Sequence, residues 1–464
     1  MNTPLLADIR RCLEGAIPAI MATCGPDGTP NVAYISQVFY VNERQVALSF
    51  QFFNKTRQNI LANPLASVLV MDPVTASFYR LHIRYLRTEM QGPVFEAMRA
   101  QLAGIASHSG MASVFKLLGS DIYEVREIER VPGSGTLPEP PPRASVLTAL
   151  RRGSERLVRC ASLDELLGAA LAAMGDVLDT RHAMVLMFDA AAGRLYTVAS
   201  CGYPESGVGS EIALGDGIIG VAARERTPVR IMHMTTAYLY SHAIRSSLGA
   251  EANSLLETDI PYPGLAEPHS QLAVPILSGT RLLGVLFAES PADLKFSFED
   301  EDLLVTLAGQ LGATLELMQL RPETEPEPSA SAPGRAAQAS QADQDDQTAQ
   351  PSKAGANVLQ LRHFKVNDSV FINGNYLIKG VAGAIFWKLA KDYCAQGRVD
   401  FSNRELRLDP ALRLPDVADN LEARLLLLQR RLIEHSPDLR IVKTGRGRFR
   451  FNVERPLELA EVDA

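Results

Sequence analysis

A short basic stretch in the first quarter of the chain carries groups suited to bind a phosphate. Lys55, Thr56 and Arg57 directly precede a short predicted helix over residues 58–62. A phosphate is held well by a fixed cationic fork together with hydroxyl and backbone N–H donors at the start of a helix. These residues therefore predict an anion site. The alternative is that Lys55 and Arg57 belong to a solvated turn.

Two apolar segments in the middle of the chain follow a glycine-rich turn. The residues GDGIIGVAA at 215–223 run from this turn into the apolar start of a helix. Residues 270–276 and 282–289 are apolar runs separated by a glycine-containing turn, a pattern that predicts a hairpin of two buried strands. We interpret this region as the centre of a domain to which the rest of the chain is attached.

The excursion between residues 232 and 269 is longer than most loops inside a compact domain, and such loops often serve as functional lids. Tyr238, Tyr240 and His242 in this segment combine an apolar body with a polar tip. They predict a sensor pocket for a planar small-molecule ligand. The alternative is a sensor that only dimerises and relays a signal.

Basic residues near the end of the chain predict contact with phosphates. Residues 439–451 include five basic residues and no acid. A local cationic edge of this kind tracks a nucleic-acid backbone, and a leucine-striped helix predicted over residues 416–434 adds further arginines. The residues predicted to contact DNA are Arg424, Arg430, Arg431, Lys443, Arg446, Arg448 and Arg450. Leu426 and Leu427 lie outside the leucine stripe and favour the alternative, a surface that binds a protein partner.

The composition is that of an ordinary globular protein. The chain has 464 residues, of which 46% are apolar and 21% charged, and a net charge of −7. This length predicts about three domains, and the negative charge argues against overall attraction to nucleic acid or anionic membranes. No apolar run approaches the roughly 20 residues of a membrane helix, no signal peptide is apparent, and the five cysteines are scattered. We therefore expect a cytoplasmic protein without metal sites.

Composition shifts along the chain predict its boundaries. Short strands separated by Pro/Gly turns indicate an antiparallel barrel in residues 1–132. A proline-rich spacer covers residues 133–145, and the sensor domain covers 146–320, beginning with a helix over 146–178. Residues 321–356 lack aromatic and β-branched clusters and are expected to be disordered. A last domain of hairpins and helices spans residues 357–464.

Each of the three domains resembles a known family. Strands followed by the stretch from Lys55 to Pro64 resemble the flavin-binding split barrel of the pyridoxamine 5′-phosphate oxidase-like superfamily. This resemblance implies that Lys55, Thr56 and Arg57 bind the phosphate of FMN and that Ser49 and Gln51 lie along the flavin ring. The ordered elements around the glycine-rich turn resemble the GAF domain. Residues 359–453 resemble the winged helix-turn-helix of response-regulator-type transcription factors.

Together these resemblances imply a multidomain α+β protein made of an antiparallel split β-barrel, a GAF α/β sandwich and a winged helix. The expected function is ligand- or redox-responsive transcriptional regulation. The helix that ends the sensor carries a heptad-like stripe, Leu304, Leu307, Leu311, Thr314 and Met318, which favours a homodimer seam over an internal core. The alternatives are an FMN-dependent oxidoreductase with regulatory domains and a signalling scaffold that does not bind DNA.

Overall fold

The computed structural model describes residues 4–15, 17–51, 54–109, 116–135, 137–139, 146–233, 260–320, 358–412 and 421–462. It divides into two compact units, Met1–Met318 and Gln319–Ala464. The predicted linker at 321–356 lies outside the described residues, as do Tyr238, Tyr240 and His242.

The first part of the Met1–Met318 unit is an antiparallel sheet with two helices. Its elements are β1 (Ala19–Cys24), β2 (Pro30–Ile35), β3 (Val38–Asn42), β4 (Gln45–Phe50), α1 (Lys55–Ala62), β5 (Leu65–Met71), β6 (Phe78–Glu89), α2 (Pro93–Ser109) and β7 (Gly119–Arg130). The strands lie in the order β2-β1-β5-β6-β7-β4-β3. Alternating apolar residues such as Met21, Val46 and Leu81 form a core on one face, while α2 packs through Met98 against Ile122 on β7.

Helix α1 begins earlier than the sequence predicts. The side chain of Asn54 caps it by accepting a hydrogen bond from the backbone N–H of Arg57 at 3.1 Å. The helix ends at Ala62, because the residue before a proline disfavours helical geometry and Asn63 precedes Pro64. The predicted phosphate-binding residues therefore occupy the first turn of the helix and do not precede it.

The second part of the unit is a sheet with helices on both faces. Its elements are α3 (Val146–Val158), α4 (Leu163–Leu178), β8 (His182–Asp189), β9 (Arg194–Cys201), β10 (Glu211–Ala213), α5 (Gly217–Glu225), β11 (Val229–Ile231), β12 (Ser270–Ser278), β13 (Arg281–Ser290) and α6 (Phe298–Leu320). The strand order is β10-β9-β8-β13-β12-β11, and the predicted hairpin is β12 with β13. The single helix expected over residues 146–178 is wrong: Ser162 caps a new helix, α4, and separates it from α3.

The glycine-rich turn has a steric explanation. Gly215 and Gly217 adopt φ values of +90° and +56°, which residues with a Cβ rarely adopt. A Cβ at Gly220 would lie 2.3 Å from the carbonyl oxygen of Ala213. Glycine at position 220 therefore lets α5 pack directly on β10.

The leucine stripe of α6 belongs to the core of its own domain. Leu304, Leu307 and Leu311 are each at most 2% exposed, and Leu307 packs near Gly153 of α3. The prediction that these leucines form a dimer seam is wrong, because they are buried within their own domain. Within the described part of the chain, α6 alone is long and apolar enough to cross a membrane by length and composition, a property it shares with core helices.

The barrel and the second domain share a hydrophobic core. Helix α2 of the barrel packs on α5 and β11, and Ala100 of α2 lies in the cluster that contains Ile218 and Val229. A Cβ at Gly104 would lie 2.5 Å from a methyl carbon of Val229, so the helix approaches the strand closely. The start of the predicted spacer also hydrogen-bonds back to the barrel, from Leu137 N to Thr75 O at 3.2 Å.

The Gln319–Ala464 unit combines two small sheets with helices. Its elements are β14 (Leu359–Phe364), β15 (Ser369–Ile372), β16 (Asn375–Ile378), α7 (Gly380–Gln396), β17 (Asp400–Ser402), α8 (Asn403–Leu408), α9 (Leu421–His435), β18 (Leu439–Gly445), β19 (Arg448–Val453) and β20 (Leu457–Val462). One sheet has the order β16-β15-β14-β20 and the other β17-β19-β18. The side chain of Ser402 caps α8 by accepting a hydrogen bond from the backbone N–H of Glu405 at 3.3 Å. Strand β20, which pairs in parallel with β14, has no counterpart in the sequence analysis.

Candidate ligand-binding site

A cleft of about 520 Å³ opens in the barrel between β1, β2, β4, α1 and β7. Its volume lies in the range of sites for cofactor-sized ligands. The residues that line it are Ile17, Pro18, Met21, Tyr34, Ile35, Ser36, Leu48, Ser49, Phe50, Gln51, Asn54, Thr56, Arg57, Ile60, Asp121 and Tyr123. Aliphatic and aromatic side chains dominate this lining, as expected of a pocket for a flat organic molecule.

One wall of the cleft is polar. Gln51 Nε2 donates a hydrogen bond to Ser36 Oγ at 2.6 Å, and Ser36 Oγ lies 3.2 Å from Ser49 Oγ. These three side chains form a chain of donors and acceptors along the opening. Ser49 and Gln51, which the family resemblance places along the flavin ring, both line the cleft.

Arg57 lies at the other end of the cleft and is already paired. Its Nη1 atom lies 2.5 Å from both carboxylate oxygens of Asp121, and its Nη2 donates to Thr88 Oγ1 at 2.7 Å. Both charged side chains are buried, with 11% and 8% of their surface exposed. Burial lowers the pKa of Arg57, but the carboxylate of Asp121 outweighs it and raises the pKa above its ordinary value. The guanidinium also lies over the ring of Phe50 at 4.4 Å.

The other two predicted phosphate ligands differ in position. Thr56 lines the cleft, but its hydroxyl oxygen accepts a hydrogen bond from Asn31 Nδ2 at 2.9 Å. Lys55 is exposed and does not line the cleft. The structure therefore brings Thr56 and Arg57 to the cleft and leaves Lys55 outside it.

The cleft fits a flavin ring better than a flavin phosphate. Its apolar walls and the polar chain from Ser36 to Gln51 match a planar ring with a hydrogen-bonding edge. A phosphate would meet Arg57 only beside Asp121, whose carboxylate neutralises the guanidinium. The guanidinium predicted to bind a phosphate is therefore already paired within the protein. Asp121 was missed by the sequence analysis, although an acid between Ser120 and Ile122 in an otherwise buried strand segment is an available signal.

The second domain holds a buried carboxylate that sequence reasoning also missed. Glu289 on β13 is 0% exposed; it accepts hydrogen bonds from Leu265 N at 2.7 Å and Gln271 Nε2 at 3.1 Å. Burial raises its pKa despite these donors. Tyr203 belongs to the same region, and burial followed by the nearby charge of Glu289 raises the pKa of its phenol. An acid at the end of the apolar run Leu282–Ala288 was the signal in the sequence.

The two ends of the long excursion are joined by one carboxylate. Asp293 Oδ1 lies 2.7 Å from His233 Nδ1 and 3.3 Å from His269 Nδ1. Burial opposes ionisation of Asp293, but hydrogen bonds from the two histidines hold its pKa below the ordinary value. The residues between these ends that the sequence predicts to form the sensor pocket lie outside the described part of the chain.

The helix predicted to read DNA is buried on most of its surface. Arg424 and Arg431 are each 5% exposed, and Leu426 and Leu427 are 6% and 4% exposed. Arg431 Nε donates to the carbonyl oxygen of Leu377 at 3.0 Å. The expectation that Arg424 and Arg431 reach a DNA surface is therefore corrected, as is the expectation that the two leucines form a docking surface. Helix α9 packs against α7, β16 and β18, so a leucine stripe alone underestimates its burial.

The hairpin of β18 and β19 carries the exposed basic residues. Arg440, Arg446 and Arg448 are all exposed. Lys443 pairs with Glu422 at 3.0 Å and Arg450 with Asp400 at 2.9 Å. Arg430 on α9 is partly buried. The cationic edge that the sequence predicts is therefore partly neutralised within the unit.

Comparison with known families agrees with the architecture of the Met1–Met318 unit. Residues 5–128 match the family model of pyridoxamine 5′-phosphate oxidase, and residues 162–315 match that of the GAF domain. These matches support a pyridoxamine 5′-phosphate oxidase-like split barrel followed by a GAF domain. Both matched ranges end before the Gln319–Ala464 unit. No curated protein matches the chain.

Solved structures resemble one domain at a time. The GAF domain of an Acinetobacter phosphoenolpyruvate-protein phosphotransferase is 24% identical, with a TM-score of 0.30, and the match covers 38% of this chain and 95% of that one. An FMN-binding protein from Syntrophomonas wolfei subsp. wolfei is 16% identical, with a TM-score of 0.22, over 26% of this chain and 87% of that one. The free methionine-R-sulfoxide reductase from Neisseria meningitidis, in complex with its substrate, is 17% identical, with a TM-score of 0.30, over 39% and 96%.

Proposed function

We propose that this protein is a ligand-responsive transcriptional regulator. In this proposal the barrel cleft and the GAF domain bind small molecules, and the Gln319–Ala464 unit carries the response to duplex DNA. The observation that carries the proposal is the shared core of barrel and GAF domain, in which Ala100 of α2 packs with Ile218 of α5. Because packed cores deform little, a small molecule bound in either domain then shifts the conformation of both domains together.

The chemistry of the cleft supports a planar aromatic ligand of the flavin class. Its lining is mainly apolar, and the polar chain of Ser36, Ser49 and Gln51 offers directional hydrogen bonds along one edge. Sites for small molecules commonly combine an apolar lining with a few convergent polar groups. Binding of added flavin, followed by its absorbance and fluorescence, tests this part of the proposal.

The exposed arginines of the β18–β19 hairpin support binding of duplex DNA. Arg440, Arg446 and Arg448 are exposed on one hairpin, and the strand order β17-β19-β18 beside helix α8 is compatible with a winged helix. Such a hairpin neutralises phosphates without reading bases. In this proposal, binding is driven by phosphates, and α9 supports the hairpin from inside the unit.

We expect the double change Arg446→Ala with Arg448→Ala to weaken binding of the full chain to all duplexes alike. Each lost phosphate contact lowers the slope of log K against log salt by about 0.9, so the slope should flatten by roughly two units. Fluorescence anisotropy over a salt series on two unrelated duplexes measures this change. Arg362→Ala is the matched control, because Arg362 is exposed on the other sheet of the same unit and should leave the slope unchanged.

The same titration tests whether Arg424 stabilises the unit or contacts DNA. Because this residue is buried, we expect Arg424→Ala to lower the stability of the unit without changing the preference among duplex sequences. A full chain that shows no salt-dependent affinity for any duplex would contradict the DNA-binding proposal. A changed sequence preference in Arg424→Ala would contradict the role assigned to α9.

A further inference from the structure

The charges at one end of the barrel cleft affect whether it binds a charged or an uncharged ligand. Among the described residues that line the cleft, Arg57 and Asp121 carry the formal charges. They sum to zero, and both side chains are about nine-tenths buried. A ligand at this end therefore meets an ion pair with no net charge, whereas an excess of positive charge would favour a phosphate.

The guanidinium of Arg57 already makes hydrogen bonds to other residues of the protein. Its Nη1 atom donates to both carboxylate oxygens of Asp121, and its Nη2 atom donates to the hydroxyl oxygen of Thr88. Thr88 in turn donates to Asp121 at 2.5 Å, and the hydroxyl of Tyr85 lies 2.8 Å from Thr88 Oγ1. The cation, the carboxylate and the hydroxyls thus form a closed network.

Opening this network for a phosphate is unfavourable. Turning Arg57 towards a ligand would leave the buried carboxylate of Asp121 without its cation, and an unpaired buried charge is strongly destabilising. A phosphate placed beside the intact pair would instead lie close to the carboxylate of Asp121, and two negative charges in contact repel each other. Lys55 adds no compensation inside the cleft, because its side chain is exposed elsewhere.

We propose that the barrel cleft selects an uncharged planar heteroaromatic ligand, a flavin ring without a terminal phosphate, and that Asp121 determines this specificity by holding Arg57. The inference rests on the proposed role of the cleft as a flavin-class site. Ser36, Ser49 and Gln51 then hydrogen-bond the polar edge of the ring, and the apolar wall covers its faces. Asp121 acts on the ligand through Arg57, as a specificity-determining residue.

Quenching of flavin fluorescence by the full-length protein tests the inference, with riboflavin and FMN as the two probes. The wild type should bind riboflavin more tightly than FMN by about tenfold or more, because contact between a phosphate and the buried carboxylate of Asp121 costs at least that much at the effective dielectric of a partly buried site. Asp121→Asn keeps the shape of the side chain and removes its charge. It should strengthen FMN binding relative to riboflavin binding by about tenfold or more.

Two further variants make the result specific to the ion pair. Glu127→Gln removes the same unit of charge from an exposed position on the same strand, β7, and should leave both affinities unchanged. Adding Arg57→Gln to Asp121→Asn should abolish the gain for FMN, because the freed guanidinium is its source. Circular dichroism confirms that each variant is folded, and the comparison of the two probes on the wild type requires no variant.

The outcomes separate the inference from the proposed function. A wild type that binds FMN more tightly than riboflavin would overturn the inference and leave the cleft as a flavin site. A folded Asp121→Asn variant that gains no affinity for FMN would overturn the role of Asp121. A wild type that binds neither probe would overturn the flavin-class role of the cleft itself, and the inference with it.

Discussion

Replacing Arg230 with methionine is expected to lower the free energy of unfolding of the Met1–Met318 unit by about 3–5 kcal/mol. Arg230 is 8% exposed. Its Nη1 atom donates to Glu14 Oε2 at 2.7 Å and its Nε to Glu301 Oε2 at 2.8 Å. Glu14 belongs to the barrel, while Arg230 and Glu301 belong to the GAF domain. The change therefore leaves a buried carboxylate without its cation at the junction of the two domains.

The pH dependence of this loss follows from the pKa of Glu14. Burial raises that pKa above its ordinary value of 4.5, and the charge of Arg230 opposes the rise. An acid whose pKa is raised by folding stabilises the folded state below its unfolded pKa, and this contribution is lost as the pH rises through the folded pKa. Without Arg230 the pKa should rise further. The loss of unfolding free energy in Arg230→Met should therefore be largest above pH 4.5 and become smaller as the pH falls towards that value.

Urea denaturation of the full chain at several pH values measures both effects, with the transition of the Met1–Met318 unit followed. Arg99→Ala is the matched control, because Arg99 pairs across the same junction with Glu225 at 2.7 Å but is 47% exposed. Exposed pairs contribute at most about 1 kcal/mol. Adding Glu14→Gln to Arg230→Met should recover part of the loss. Equal losses for the Arg99 and Arg230 variants would contradict the importance of burial at this junction.

Replacing Gly312 with alanine in α6 is expected to destabilise the same unit by about 1–3 kcal/mol, the usual cost of overpacking. A Cβ at this position would lie 2.2 Å from the carbonyl oxygen of Leu277 on β12. A backbone carbonyl within a sheet cannot turn aside as a flexible side chain does. The helix would have to move away from β12, which would loosen its packing against that strand.

Gly309 in the same helix provides the control. A Cβ there would meet no atom within 4 Å, so Gly309→Ala should stabilise the unit by about 0.4–1 kcal/mol through the lower entropy of the unfolded chain. Thermal and urea denaturation of both variants measure the two effects. Shifts of the same sign and size would mean that α6 does not pack against β12 as closely as the structure indicates.

Local patterns in the sequence were sufficient for antiparallel strands in the first two domains, but not for the division of residues 146–178 into two helices. Alternating apolar residues and Pro/Gly turns predict the antiparallel strands, and the apolar runs around residue 279 predict the β12–β13 hairpin, which the structure confirms. Capping residues are equally local, so the start of α8 at Ser402 was predictable. The break at Ser162 is also a local capping signal, but the apolar periodicity on both sides of it masked it.

Which charged residues are free to bind a ligand was not predictable, because pairing joins residues far apart in the chain. Arg57 and Asp121 are 64 positions apart, and they meet only when β7 pairs with β4 beside helix α1. The same reasoning applies to Glu289, whose burial is compensated by donors from a loop and a neighbouring strand. A basic or acidic residue in a sequence carries no information about its distant partner.

By itself, the sequence determined the types of secondary structure, the glycine-dependent turns and the identity of two domains, since these depend on residue type and short-range spacing. The tertiary structure decided which helix faces are buried and which charged residues are exposed. The leucine stripe of α6 has the same spacing whether it packs against its own sheet or against a second copy, and only the fold shows Leu311 buried within its own domain. Likewise, Arg424 and Arg448 are the same residue type, but Arg424 is buried on α9 while Arg448 lies on the exposed face of the β18–β19 hairpin.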